Sequence, residues 1–415
     1  MKRRDVLRLG VGTLGTAVFG THRGLAGQER AVPVRTTRPE ASPGPAGPGV
    51  VDEELRSRLA DYLEDLNRWI LTLDVGSNAL KNTQDTRTSI FINGNFARVL
   101  MASYRITGNK THLDEALRWC DTFCQQQQKT QTSTGQEGGY WADQGPGGNI
   151  YFGDAGTAAT ALAVGHRLAD ASRRTAYLAA MERKARFVME GCAQDPQGLG
   201  RAACKGWVIL EGPDKGALGC GYYQGKLSPE PYTISTATTG GAFFSELFGI
   251  TGRPEYRAVA LGATRWLLKI RKDDGELPYT LAGRLHSEWP LDTLSYCTEA
   301  FVAADMYVND AELKAMLRDR LRPTVRWFLG RQNPDGSWGK LRSADQQRSP
   351  RAVTLLTWYC RHVQPDPKVL ESIRAYCRFL LNPSNSWAYG VKQLVRTSGF
   401  VGLAVAEILS DGSTF

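Results

Sequence analysis

Two aspartates stand where proton transfer could be organised. Asp154, in Tyr151-Phe152-Gly153-Asp154-Ala155-Gly156, and Asp292, after His286-Ser287-Glu288-Trp289-Pro290-Leu291, each open a helical apolar stretch. Two carboxylates facing one bowl suit glycoside hydrolysis: one protonates the leaving oxygen while the other activates water or attacks the sugar. The same two positions also suit helix N-caps, where an aspartate accepts the free amides of the first turn. Their separation is not written in the sequence, so retention and inversion both stay open. His286 lies in a long connector beside Glu288 and Trp289, where it is either a base or proton shuttle or an idle loop histidine. If the chemistry is elimination instead, Tyr223 or His286 would take the proton α to a carboxylate while an arginine neutralises that carboxylate.

A sugar ring has C–H faces that stack on aromatics, and Trp141, Tyr151, Tyr222, Trp289 and Tyr389 fall in or beside the same long connectors. Trp338 and Trp387 read instead as plugs between loop and helix. Glu288, Arg348 and Arg396 complete the candidate binding set, since guanidinium groups suit a carboxylated or sulfated sugar. The arginines read equally as solvated, or as partners for the two aspartates. His112, His166 and His362 fall inside helical stretches, where packing is the better reading, and no residues have metal-ligand spacing. Neither a catalytic metal nor a cofactor is expected.

What must position these residues is a repeated hairpin. In the stretch 94–124, Phe96, Val99, Leu100, Ser103 and Tyr104 recur at helical spacing, and Leu113, Ala116, Leu117 and Trp119 do so again after Thr107-Gly108-Asn109. The pattern returns at 154–190, 235–270, 291–331 and 347–381. Single helices at 52–73 and 395–409 remain at the two ends; side by side they make a sixth pair. The first member of each pair is apolar on most sides and must be enclosed, whereas the second is charged on one face and can meet water. The fold expected is all-α, an (α/α)6 toroid of six helical hairpins in inner and outer rings.

Connector lengths alternate as well. Inner-to-outer turns are short (107–110, 170–174, 251–254, 308–310, 364–367), and outer-to-inner connections are long (73–93, 125–153, 193–234, 271–290, 332–346, 382–396). Loops of that length in a compact domain are usually functional. All six would leave the ring where the inner helices begin, so a cleft there would also meet six positive helix ends.

Composition sets the remaining bounds. With 415 residues and 42% apolar content, the chain can bury a large core. Residues 1–26 pair Arg3-Arg4 with a short apolar run and the small residues Gly24-Leu25-Ala26, the pattern of a twin-arginine export signal, with too short an apolar run for a membrane anchor. Its partner would be the twin-arginine translocation machinery, and its destination the periplasm or the outside of the cell. Residues 27–49 are a Pro/Gly-rich linker, and 50–415 the toroid domain. The leader holds five basic residues and one acidic one, which leaves the rest of the chain about +5 and makes nucleic acid a poor partner. None of the eight cysteines makes a C-x-x-C pair; Cys204 and Cys220 share one long loop and are open to bridging after export.

Two stretches resemble known families. Arg331-Gln332-Asn333-Pro334-Asp335-Gly336-Ser337-Trp338, after Trp327-Phe328-Leu329, is similar to the glutamine-tryptophan element of terpenoid-cyclase and prenyltransferase toroids. Tyr104-Arg105-Ile106-Thr107-Gly108-Asn109, with Leu113 and Ala116, resembles the six-hairpin glycosidases and their sugar-epimerase relatives. The first resemblance implies cyclisation, but the Asp-x-Asp-Asp acid of that class is absent. The second implies an exported glycoside hydrolase or polysaccharide lyase acting on an oligo- or polysaccharide, with uronate-containing polymers among the candidates. A glycan-binding or scaffold toroid without catalysis stands as the third reading.

Overall fold

Asp52 accepts the Leu55 amide at 2.9 Å, and the first helix, α1 (Glu53–Ile70), starts on that cap with Glu53 and Glu54 in its first turn. Leu55, Leu59, Leu63, Leu66 and Ile70 then bury along one side. The structure is a computed structural model that describes residues 49–73, 90–127, 141, 150–190, 204–223, 226–278, 290–339, 341, 352–384 and 395–410; its side chains are described for all of these except 150, 204–205, 222–223, 226–229, 290–295 and 395–397.

The hairpins follow in chain order. The first pairs α2 (Ile90–Thr107) with α3 (Lys110–Gln126), and the second pairs α4 (Phe152–Leu168) with α5 (Ala171–Glu190). In the third, α6 (Thr233–Ser235) runs through a π-helical segment, Thr236–Phe243, into α7 (Phe244–Thr251), and α8 (Pro254–Ile270) is the outer partner. The fourth is α9 (Pro290–Tyr307) with α10 (Ala311–Arg320) and α11 (Arg322–Arg331); the fifth is α12 (Ala352–His362) with α13 (Pro367–Leu381). Last, α14 (Val395–Leu409) packs on α1, where the Arg56 guanidinium donates to the Leu409 carbonyl. The inner members touch in sequence from α2 through α4, the π segment, α9, α12 and α14 back to α2. The chain is an (α/α)6 toroid.

Inner helices approach closely because glycine lets them. A Cβ on Gly94 would lie 2.9 Å from the Ala158 backbone nitrogen, and one on Gly156 would lie 2.7 Å from the Thr238 carbonyl carbon. The short turns reverse on left-handed residues, Gly108, Gly252 and Asn309, and the next helices begin on Asn109, Asp310 and Asp366, whose side chains accept first-turn amides.

The long connectors are braced against the outer ring. Trp338 is fully buried and its indole N–H donates to the Phe328 carbonyl at 2.9 Å, while the Gln332 amide donates to the carbonyls of Gly336 and of Ser372 on the next outer helix, each at 2.8 Å. Gly275 and Gly336, both left-handed, press on the backbones of Pro323 and Ala375 in the neighbouring outer helices. The glutamine-tryptophan element is therefore a packing device between one outer helix and the next.

Three features depart from the simple hairpin pattern. The fourth outer member breaks at Leu321, because Pro323 has no N–H to give the preceding turn. The third inner member carries the π segment. Among the described residues, five short strands occur in the connectors: β1 (Ile150–Tyr151), β2 (Cys204–Lys205), β3 (Val208–Ile209), β4 (Gly219–Tyr223) and β5 (Lys226–Pro231). They form an antiparallel β1-β4-β5 sheet and a β2-β3 pair, which satisfy backbone groups that helices would otherwise satisfy.

Candidate functional site

The first turn of α4 is fixed from three sides. Before it, β1 pairs with β4, with Tyr151 opposite Gly221 and Ile150 opposite Tyr222. Beside it, the Thr238 hydroxyl donates to the Gly153 carbonyl at 2.8 Å and the Thr239 hydroxyl to the Phe152 carbonyl at 2.6 Å. Above it, the Tyr151 ring meets Tyr232 edge-on at 5.6 Å. These bonds lock the turn that carries Asp154.

Asp154 is the third residue of α4 and half-buried; the N-cap position belongs to Tyr151, which makes no side-chain cap bond. Its carboxylate lies close enough to Cys220 on β4 to act on the thiol, which burial first and Asp154 second push up to about 12. Cys220 is a free thiol in the structure, and the side chain of Cys204, the bridging partner that the sequence left open, lies outside the described residues.

The long connectors meet at this end. The connector before α4 supplies β1, the one before α6 supplies β4 and β5, and Pro278, on the way to α9, accepts the Thr233 hydroxyl at 2.7 Å at the start of α6. Asp292 is the third residue of α9, the position Asp154 has in α4. The side chains of Asp292, Tyr222, Tyr223 and Arg396 lie outside the described residues, although their backbones sit in α9, β4 and α14. His286, Glu288, Trp289, Arg348 and Tyr389 lie outside the described residues altogether.

Trp141 needs a correction. It is buried, and its indole N–H donates to the Phe123 carbonyl at 2.9 Å, as Trp338 does to Phe328. It wedges a connector against an outer helix, and an enclosed ring has no free face for a sugar.

Sequence reasoning missed the centre of the ring. Arg98 on α2 donates to both carboxylate oxygens of Glu299 on α9 at 3.2 Å, with side chains only 3% and 4% exposed. The two helices are not neighbours in the ring, so the pair spans its axis. Arg98 is the ninth residue of α2, which sets this floor about 12 Å below the helix start at 1.5 Å per residue. One turn nearer the mouth, Tyr296 packs edge-on against Phe400 at 5.3 Å, and Phe400 stacks on Phe91 at 6.2 Å. Between Phe91 and Arg98 on α2, the Asn95 amide is 1% exposed, and neither of its polar atoms has a hydrogen-bond partner among the described residues. The signal was present: Arg98 and Glu299 are charged residues midway along two mainly apolar inner helices.

The described histidines stand away from this bowl. Burial, with Arg167 and Arg174, brings His166 down to about 4, and burial lowers His112 despite Glu64 at 3.7 Å. At the end of α4 away from Asp154, Arg167 pairs with Glu246 and lies 5.0 Å over the Tyr307 ring. Among the described residues, no three His, Cys, Asp or Glu side chains cluster to hold a metal ion, and no helix is long and apolar enough to cross a membrane.

Known structures share this architecture. A cellobiose 2-epimerase from Spirochaeta thermophila is 14% identical, with 87% of this chain and 97% of that one covered at a TM-score of 0.58. A polysaccharide lyase is 12% identical over 86% and 98% of the two chains, also at 0.58. An α-1,6-mannanase of Salegentibacter sp. HEL1_6 is 13% identical over 86% and 98%, at 0.54. What these likenesses show is the fold. No protein-family model matches the chain, and no curated protein does.

Proposed function

We propose that this chain is an exported carbohydrate-active enzyme whose substrate enters the bowl where the inner helices begin. The observation that carries the reading is Asp154, locked at that mouth by strand pairing and two threonine hydroxyls, above a floor of buried polar groups. Similarity to a mannanase, a lyase and epimerases supports the substrate class. The leader at 1–26 supports export by the twin-arginine pathway to the periplasm or beyond.

Hydrolysis is the first form of the proposal. Asp154 and Asp292, both third residues of inner helices two places apart in the ring, are the acid and base. A variant of the similar mannanase with two consecutive aspartates replaced is inactive. The consecutive pair here, Asp273-Asp274, is exposed in a turn after α8, where Asp274 accepts the Glu276 amide at 3.0 Å. That is turn chemistry, so the working carboxylates are assigned to separate helices.

Elimination is the second form, and Arg98 favours it. A guanidinium on the floor, with Tyr296 one turn above its partner Glu299, is suited to a uronate, and six positive helix ends add to the pull on an anion. A base removes the proton α to the carboxylate, the glycosidic C–O bond breaks, its oxygen leaves protonated, and a C=C bond forms that absorbs in the ultraviolet.

The test is turnover by the purified protein on a panel of neutral and uronate-containing polysaccharides, read by reducing ends and ultraviolet absorbance. Reducing ends without absorbance indicate hydrolysis, and both together indicate elimination. Silence across the panel contradicts the proposal.

A further inference from the structure

Lys184 sits on outer helix α5, yet its side chain points inward and is 1% exposed. Its ammonium nitrogen lies 5.2 Å from the centre of the Phe152 ring, 5.7 Å from Trp141 and 5.8 Å from Phe243. Among the described residues, no hydrogen-bond acceptor reaches it. A buried lysine normally has a carboxylate partner, because an unpaired ammonium away from water is costly. Ring faces attract a cation only weakly compared with lost hydration.

Among the described residues, nothing charged faces the amine from the elements around it. On α5, Arg183 turns to Gln127 at 3.1 Å and Glu182 to Arg253 at 3.2 Å. From α4, Phe152 fills the contact, and the next carboxylate, Asp154, bears on Cys220. The π segment, Thr236–Phe243, has no titratable side chain, and the connector contributes Trp141. Burial alone shifts the amine, down to about 7 from 10.5.

The three rings are not arbitrary. Phe152 is the first residue of α4, two before Asp154; Phe243 ends the π segment whose threonines pin that same turn; Trp141 wedges the connector that leads into β1. We propose that Lys184 is a proton-operated catch behind the candidate site: uncharged, it lets the box of Trp141, Phe152 and Phe243 close, and protonated, it loosens the turn that carries Asp154. As regulation of that site the inference rests on the function proposed above. As a property of the fold it does not, and its test reads stability and fluorescence instead of turnover.

The direction follows from linkage. With a folded value of about 7 and an unfolded value of 10.5, the unfolded chain holds more protons between them, so stability rises with pH across that interval and is flat below it. The experiment is thermal unfolding of the full chain from about pH 6 to about pH 10, wild type against Lys184→Met, with acrylamide quenching of tryptophan fluorescence in both and in Trp141→Phe. The midpoint should climb with pH in the wild type relative to Lys184→Met, which gains most at the acid end. Wild-type quenching should increase as pH falls through about 7, with no such increase in either variant.

Parallel pH profiles for wild type and Lys184→Met, or quenching that ignores pH, would overturn the proposal. So would a Lys184→Met chain that fails to fold while Lys184→Arg folds, because the box would then require a cation. If the profiles come out as stated and no polysaccharide is turned over, the catch stands and the functional reading falls.

Discussion

A charge inside an apolar helix is kept only where something answers it, and Arg98 and Glu299 answer each other from 201 residues apart. Both side chains are buried, so breaking the pair with Arg98→Met or Glu299→Gln should cost about 3–5 kcal/mol in urea unfolding. The double variant Arg98→Met/Glu299→Leu should recover most of that loss and stay inactive, because the polar floor is gone. A double variant no more stable than the singles would show that the two charges do not depend on each other. At this scale the sequence marked the odd residues, including Asp154 at the opening of its helix. It could not supply their partners, because a contact across the ring axis has no signature in local spacing. Trp141 shows the opposite limit: turn signals and an aromatic read the same whether the ring stacks on a ligand or, as here, plugs a seam.

Helices in the inner ring are held at backbone distance, and a single methyl tests it. Gly94→Ala would put its Cβ 2.9 Å from the Ala158 nitrogen, where a rigid backbone cannot yield, and should cost about 1–3 kcal/mol by thermal or urea unfolding. A stability equal to wild type would mean that the two helices slide apart freely. Trp338→Ala removes a fully buried ring and its bond to Phe328, and should cost about 3–5 kcal/mol by the same measurement. Most element positions were legible, since apolar period, caps and turn glycines agree with one another from α1 to α14. The break at Leu321 and the π segment were not. The first turns on one proline in an otherwise regular pattern, and the second on threonine hydroxyls finding partners in α4 and at Leu218, just before β4.

The stability of the whole molecule depends on pH on an acid limb as well as in the alkaline interval of Lys184. His166 has a folded value of about 4 against a usual 6.5, held down by burial and by Arg167 and Arg174. The unfolded chain therefore takes up the proton first, and stability drains away as pH falls from about 6.5 towards about 4. Replacing His166 with Gln should make that acid limb of the melting profile shallower, with the buried His112 and His362 carrying part of the remainder, and leave the alkaline interval assigned to Lys184 untouched. An unchanged acid limb would assign it to other groups. The uneven connectors gave the toroid its direction in the sequence, and the meeting of β1, β4 and Pro278 at the inner-helix starts follows it.

The central claim is that Asp154 does chemistry at that opening. It is tested most directly by comparing wild type, Asp154→Asn and Asp273→Asn on whichever polysaccharide the wild type cleaves, by initial rate at equal folded concentration. Loss of an acid or base should slow Asp154→Asn by about 10²–10⁴-fold, with Asp273→Asn, altered in an exposed turn, at the wild-type rate. An Asp154→Asn enzyme as fast as wild type would contradict the account.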